Sequence, residues 1–256
     1  MINAILKRAV LGSAAVLSVL TGPAWSAESF VDHFNSLSQT RWFISDGWTN
    51  GDHQNCVWSR DHVKLQGGFL NITLTDRARN DRKFSCGEIQ SNEAFGYGTY
   101  EARMRIPVGS GINSNFFSHI GAPQKQPHHE IDFEFLGRLP ETVQLNYYVD
   151  GVGKHESIDP APGAHTGYER YAFVWEPDRI AWYIGHTLVR EEKSPPLPSL
   201  PQKIYFSVWA TDTLIDWMGR FAYEGPYEMS VDWVAFTAAG DFCQFPDSIV
   251  CELKQK

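Results

Sequence analysis

The sequence predicts an all-β protein, an antiparallel β-sandwich, and three observations carry that expectation. Apolar and polar residues alternate with period two over many short segments, turn residues separate those segments, and few windows hold helical spacing for more than two turns. Strands that succeed one another without intervening helices lack the crossovers a parallel sheet needs, which leaves two stacked antiparallel sheets. With 256 residues, 43% hydrophobic and 14% aromatic, the chain has enough apolar side chains for one large core.

The first residues read as an export signal rather than as part of the fold. Lys7 and Arg8 precede an apolar run from Ala9 to Leu20, followed by Gly22, Pro23 and "AWSA". The run is short for a bilayer span, so a signal over residues 1–26 is expected, cut after Ser26 with Ala27 as the competing site. A secreted chain follows, extracellular or periplasmic, with no membrane attachment after cleavage. Residues 27–256 then form a single domain, ending in a tail from about residue 238.

The expected strands, in order, include "GFLNITLT", "GYGTYEARMRI", "HEIDFEFLG", "TVQLNYYVD", "KIYFSVWA" and "YEMSVDWVAF". Within "YERYAFVWEPDRIAWYIGHTLVR", Pro177 and Asp178 suit a tight turn between two strands, and Gly185 marks a second. The Pro-rich stretch Ser194 to Gln202 is short enough to be a rigid loop between strands.

Charge and cysteines narrow the function. Loss of Lys7 and Arg8 with the signal leaves 20 of the 22 basic residues against 30 acids, a formal charge of −10. That balance, without any Lys or Arg cluster, argues against nucleic acid and against an anionic membrane surface. Export makes oxidation of Cys56, Cys86, Cys243 and Cys251 expected. Three pairings are possible; the gaps favour Cys56 with Cys86 and Cys243 with Cys251, and neither pair has zinc-site spacing.

The stretch "HHEIDFEFLG" sets Glu130, Asp132 and Glu134 at every second position, with Ile131, Phe133 and Phe135 between them. On a strand the acids share one face and the apolar residues the other. Acids crowded without a basic partner are destabilising on a strand, which argues for chemistry over a merely solvated face. At about 3.3 Å per residue, Glu130 and Glu134 have Cα atoms roughly 13 Å apart, and inward-leaning side chains bring their carboxyls to roughly 5 to 6 Å. Retaining glycosidases need about 5 to 5.5 Å and inverting ones about 6.5 to 9.5 Å. Asp132 between them disfavours ionisation of its neighbours. A metal held by the three acids, and a lectin-like sandwich that binds glycans without cutting them, are the alternatives.

"EIDFEFLG", followed by "VQLNYYVDGVGKHE", resembles the catalytic strand of glycoside hydrolase family 16, lichenase type, and is similar to the rhizobial endoglycanases that trim succinoglycan. The likeness runs from about Phe34 to Phe236 and includes "NCVW", "SCGEIQS", "GYGTYEARM", "SNFFSHIG" and "DWMGRF". It implies a concanavalin-like jelly roll with a concave sugar-binding cleft, and a secreted enzyme that cleaves β-1,4 bonds in β-1,3-1,4-glucan or a related exopolysaccharide, by hydrolysis or by transglycosylation. Carried over, Glu130 is the nucleophile, Glu134 the acid and base, and Asp132 the assisting carboxylate. The matching sugar contacts are Phe117, Tyr148, Trp209 and Trp217 for stacking, and Asn50, Glu88 and Asn146 for hydrogen bonds.

Three departures touch the cleft. Lichenases carry Trp and Asp where this chain has His128 and His129, Arg where it has Gln90, and an aromatic where it has His119; such changes alter sugar contacts and spare the acids. The resemblance also implies the Cys56–Cys86 disulfide, a structural calcium at Gly68 and Asp232, no cofactor for the chemistry, and a monomer whose partner is a polysaccharide.

Overall fold

The computed structural model describes residues 28–159, 161 and 167–253; the export signal read at residues 1–26 lies outside them, as does the end of the tail beyond residue 253. Two sheets face one another. The seven-stranded sheet runs Val152–Ile158, Val143–Val149, His129–Leu136, Ile112–Ile120, Lys203–Ala210, Glu88–Ser91 and Trp42–Ile44. The larger sheet runs from Thr187–Glu192 through Arg179–Ile184, Glu169–Glu176, Gly98–Arg105, Tyr227–Ala238, Phe69–Thr75 and Phe84–Cys86 to Cys56–Trp58. Phe30–Asp32 adds to its strand Tyr227–Ala238 and Val63–Gln66 to Phe69–Thr75. This is the expected sandwich, with one exception to antiparallel pairing among the described residues: Cys56–Trp58 lies parallel to Phe84–Cys86, and the Cys56–Cys86 disulfide joins them.

The turns fall where their residues require. Glu176 pairs with Arg179, so Pro177 and Asp178 form a two-residue hairpin turn. Ile184 pairs with Thr187, and Gly185 has φ +57°, a conformation that glycine adopts without a Cβ penalty. The Pro-rich loop is fastened by Trp175, whose indole N–H donates to the Pro198 carbonyl at 2.9 Å.

Aromatic rings from both sheets make the core between them. Phe116, Phe133 and Phe206 of the smaller sheet are fully buried, with Phe116 5.1 Å from Phe206 and 5.8 Å from Phe173 of the larger sheet. Phe133 meets Tyr171 at 5.4 Å, and Tyr100 stacks on Phe173 at 4.6 Å. Each such ring contributes about 1.5 to 3 kcal/mol by leaving water, so these contacts fix which face of each strand points inward.

Two short helices have no period in the sequence to announce them, Ile215–Met218 and Ile249–Leu253. The second lies on the outward face of the larger sheet, where Ile249 packs with Ala172, Val174, Ala181 and Tyr183. Its start is held by Glu101, a buried acid on Gly98–Arg105, which accepts from the Ser248 hydroxyl at 2.5 Å and the Ile249 amide at 2.8 Å. Arg170 adds a hydrogen bond to the Asp247 carbonyl and a 3.3 Å ion pair to Glu252, and the Cys243–Cys251 disulfide closes the tail on itself. Replacing Glu101 with Ala strands two buried donors and should lower stability by about 2 to 4 kcal/mol. A lower denaturation midpoint together with faster proteolysis of the tail would show this; an unchanged midpoint would mean that the acid does not hold the tail.

Candidate active site

The strand His129–Leu136 is paired on both sides, and its register assembles the site. Glu130, Asp132 and Glu134 stand opposite Tyr148, Asn146 and Gln144 on one neighbour, and opposite His119, Phe117 and Asn115 on the other. The next strand continues the rows with Lys203, Tyr205 and Ser207. Directly opposed residues share a face, so all of these side chains belong to the outward face of the smaller sheet. Ile131 and Phe133 are completely buried and Phe135 nearly so. The alternation that buries one row therefore presents the other to an open cavity of about 720 Å³, which all three acids line.

Within the row of acids, the surroundings differ. Glu134 accepts hydrogen bonds from Asn113 at 3.0 Å and from Asn146. Burial nevertheless pushes its pKa up to about 7, against the lowering effect of those two amides. Asp132 is only 2% exposed, and burial, followed by the charges of Glu130 and Glu134, raises its pKa well above the carboxylate range. Glu130 pairs instead with the His128 Nε2 at 2.5 Å, and that bond raises the pKa of His128. One carboxyl is thus biased towards its neutral form, and another has an imidazole partner.

The flanking residues come from several elements. Phe117 lines the cavity while Phe116 enters the core, a choice that the register makes. Phe117 stacks on Tyr205 at 4.8 Å, and His128 stacks on Tyr148 at 4.9 Å. Tyr148 lies flat across Gly153, where an added Cβ would come within 2.4 Å of its ring. Gln90 accepts from Tyr205 at 3.1 Å and Lys203 at 3.4 Å. Glu88 accepts from Ser45 at 2.6 Å and is raised by burial to about 7. Asn50 is oriented by the Trp58 indole at 3.3 Å, from a loop resting on the disulfide-linked pair of strands.

Two tryptophans close the other end. Their rings lie 6.1 Å apart, and the Trp217 indole donates to Gln144 at 2.9 Å. In the orientation that satisfies both ends of its amide, Asn115 accepts from the Trp209 indole at 3.0 Å and donates to Asn113 at 2.7 Å. A chain of hydrogen bonds therefore runs from Trp209 through two asparagines to Glu134.

Of the sequence-predicted residues, Asn50, Glu88, Gln90, Phe117, His119, His128 and Trp209 line the cavity with the acids. Asn146, Tyr148 and Trp217 are not among the lining residues but touch them. His129, adjacent to His128, points the other way: it is buried, and its Nδ1 accepts from the Ser199 amide at 3.1 Å. Trp48, His53 and Tyr205 also line the cavity and were not anticipated. Tyr205 could have been found from the alternation of "KIYFSVWA", since it shares a face with Trp209.

The calcium expected at Gly68 and Asp232 does not fit the side chains present. Gly68 sits in the turn before Phe69–Thr75, and Asp232 is at a bulge in Tyr227–Ala238 with its carboxylate accepting from the guanidinium of Arg103. The positive charge that a metal would bring is supplied there by an arginine.

Comparison with known proteins agrees with this fold. The profile of "Glycosyl hydrolases family 16" matches residues 50–235. An "Endo-1,3-1,4-beta-glycanase ExoK" of Rhizobium meliloti (strain 1021) is 51% identical over 230 residues, covering 89% of this chain and 86% of its own. A "Beta-glucanase" of Bacillus subtilis (strain 168) is 37% identical over 219 residues, 85% of this chain and 89% of its own. The solved Bacillus licheniformis β-glucanase superposes with a TM-score of 0.79 at 34% identity, covering 83% of this chain and 99% of that one. A shared sandwich, a matching profile over most of the chain and relatives of this closeness leave one conclusion: the chain belongs to family 16 of the glycosyl hydrolases.

Proposed function

We propose that the chain is a retaining endo-β-glycanase that hydrolyses β-1,4 bonds in β-1,3-1,4-linked glucan or a related bacterial exopolysaccharide such as succinoglycan. The observation that carries this reading is the pair Glu130 and Glu134 on one open face, one paired with an imidazole and the other neutral up to about pH 7. The names of the Rhizobium and Bacillus relatives support the substrate class. Export by the apolar leader, action as a monomer and chemistry without a cofactor complete the reading.

The mechanism follows from the two environments. Glu134 gives its proton to the leaving glycosidic oxygen while a Glu130 oxygen attacks the anomeric carbon and forms a glycosyl ester. Glu134, now a carboxylate, takes a proton from water as that water attacks the same carbon and frees Glu130. Two inversions give net retention. Asp132, kept neutral between them, lets the two glutamates approach one bond without a third charge in the row. Trp209, Trp217, Phe117 and Tyr148 offer ring faces to sugars, and Asn50, Gln90 and His119 offer polar groups.

Glu130→Gln and Glu134→Gln should each lower kcat by about a hundredfold or more on mixed-linkage barley glucan, with folding unchanged by circular dichroism. Reducing ends released from that glucan, laminarin, carboxymethyl cellulose and succinoglycan, measured side by side, test the substrate. Activity on laminarin alone, or full activity in either variant, would overturn the reading.

The acid makes a prediction about pH. Because Glu134 must be protonated to act, kcat/KM should fall as pH rises through about 7. Asn113 donates to the charged form and so lowers this pKa; Asn113→Ala removes that preference and should carry the alkaline limb to higher pH. A limb that stays put or moves down would exclude Glu134 as the acid.

A further inference from the structure

One group of side chains in the cleft could also hold a metal ion. His119, His128 and Glu130 each offer one ligating atom, and these atoms all lie within 4.8 Å of one another. The arrangement follows from the sheet: His119 stands directly across from Glu130 on the neighbouring strand, and His128 precedes Glu130 by two residues, on the same face. All three line the same open cavity, so an ion can enter from solvent and keep a water in a further position.

The rings are also held. His119 and His128 are 5.0 Å apart between centroids; His128 is stacked on Tyr148, and His119 sets its ring at 82° to Tyr205, 5.8 Å away. Two imidazoles and one carboxylate are the donor set of borderline transition cations, not of calcium or magnesium, which prefer oxygen. Bonds of about 2.0 to 2.1 Å in a tetrahedral shell place ligand atoms roughly 3.3 Å apart. The His128 Nε2 and Glu130 Oε2, now 2.5 Å apart, would open slightly, and His119 would close by a small side-chain rotation.

We propose that His119, His128 and Glu130 form a three-ligand site for one borderline divalent cation of the zinc class, and that its occupation switches the enzyme off by engaging the Glu130 carboxylate. The inhibitory half rests on the reading of Glu130 as nucleophile: a carboxylate oxygen bound to the cation has lost the lone pair that attacks the anomeric carbon. Imidazole at positions 119 and 128 is what makes the site possible. The backbone register alone would bring any residues at these positions equally close.

The test titrates zinc into the full chain, freed of metal by chelator dialysis, and follows binding by calorimetry and glucan hydrolysis in parallel. One equivalent should bind, hydrolysis should stop over the same concentration range, and chelator should restore it. His119→Ala and His128→Ala should each weaken zinc binding by about tenfold or more. His119→Gln and His128→Gln repeat the measurement if an alanine variant does not fold. Zinc affinity unchanged in the histidine variants, or no binding at millimolar zinc, would overturn the site. Binding that the variants abolish but that leaves wild-type hydrolysis untouched would support the site and overturn the nucleophile reading of Glu130.

Discussion

The cleft depends on one constraint, the register of His129–Leu136 between its two neighbours. Side chains alternate with period two, so a slip by one residue would drive Glu130, Asp132 and Glu134 into the aromatic core and expose Ile131, Phe133 and Phe135. The penalty for three buried, unpaired carboxylates would far exceed the loss of three apolar contacts. The core thus does more than stabilise the sandwich. By anchoring Phe133 between Phe116 and Tyr171, it fixes the position of every acid on the opposite face.

Register also explains how three acids coexist where like charges should repel. The protein places no lysine or arginine between them on their strand. It withdraws Asp132 from water so that it holds its proton, gives Glu134 two amide donors that offset burial only in part, and lets His128 bond Glu130. Each carboxyl therefore meets a different balance of desolvation and hydrogen bonding, although the three sit on one strand only two residues apart. The functional asymmetry comes from neighbouring strands, because Asn113 and Asn146 reach Glu134 from opposite sides.

What was legible in the sequence follows the same division. Alternation exposed the acidic row, the hairpin at Pro177 and Asp178, and the split between faces of the strand, since each is a local signal. The choice of Phe117 over Phe116, and the fate of His129 as a core residue beside a cleft residue, needed only the phase of a strand relative to its neighbours. Trp48 and His53 were not legible, because they come from a loop whose path is set by the disulfide and not by any period. The pairing of Arg103 with Asp232 joins residues 129 positions apart, which no local pattern reports, and it engages the carboxylate that resemblance alone implied as a calcium ligand. The two short helices fell below the length at which a 3.6-residue period can be recognised.

Other buried acids show what is particular about Asp132. Glu101 accepts two hydrogen bonds from the C-terminal tail, and Glu88 accepts one from Ser45; each acid has a donor supplied by a separate segment. Asp132 is equally buried, yet its Oδ1 has no hydrogen-bond partner among the described residues. A fold that can place donors on Glu101 from a segment about 147 positions away is not short of means to do so. Leaving Asp132 under-satisfied sacrifices stability at the one place where a donor would favour the charged form and add a third negative charge to the row. Burial, only partly offset by the Asn113 and Asn146 amides, likewise raises Glu134 towards its neutral form, so the two acids share a cause in desolvation.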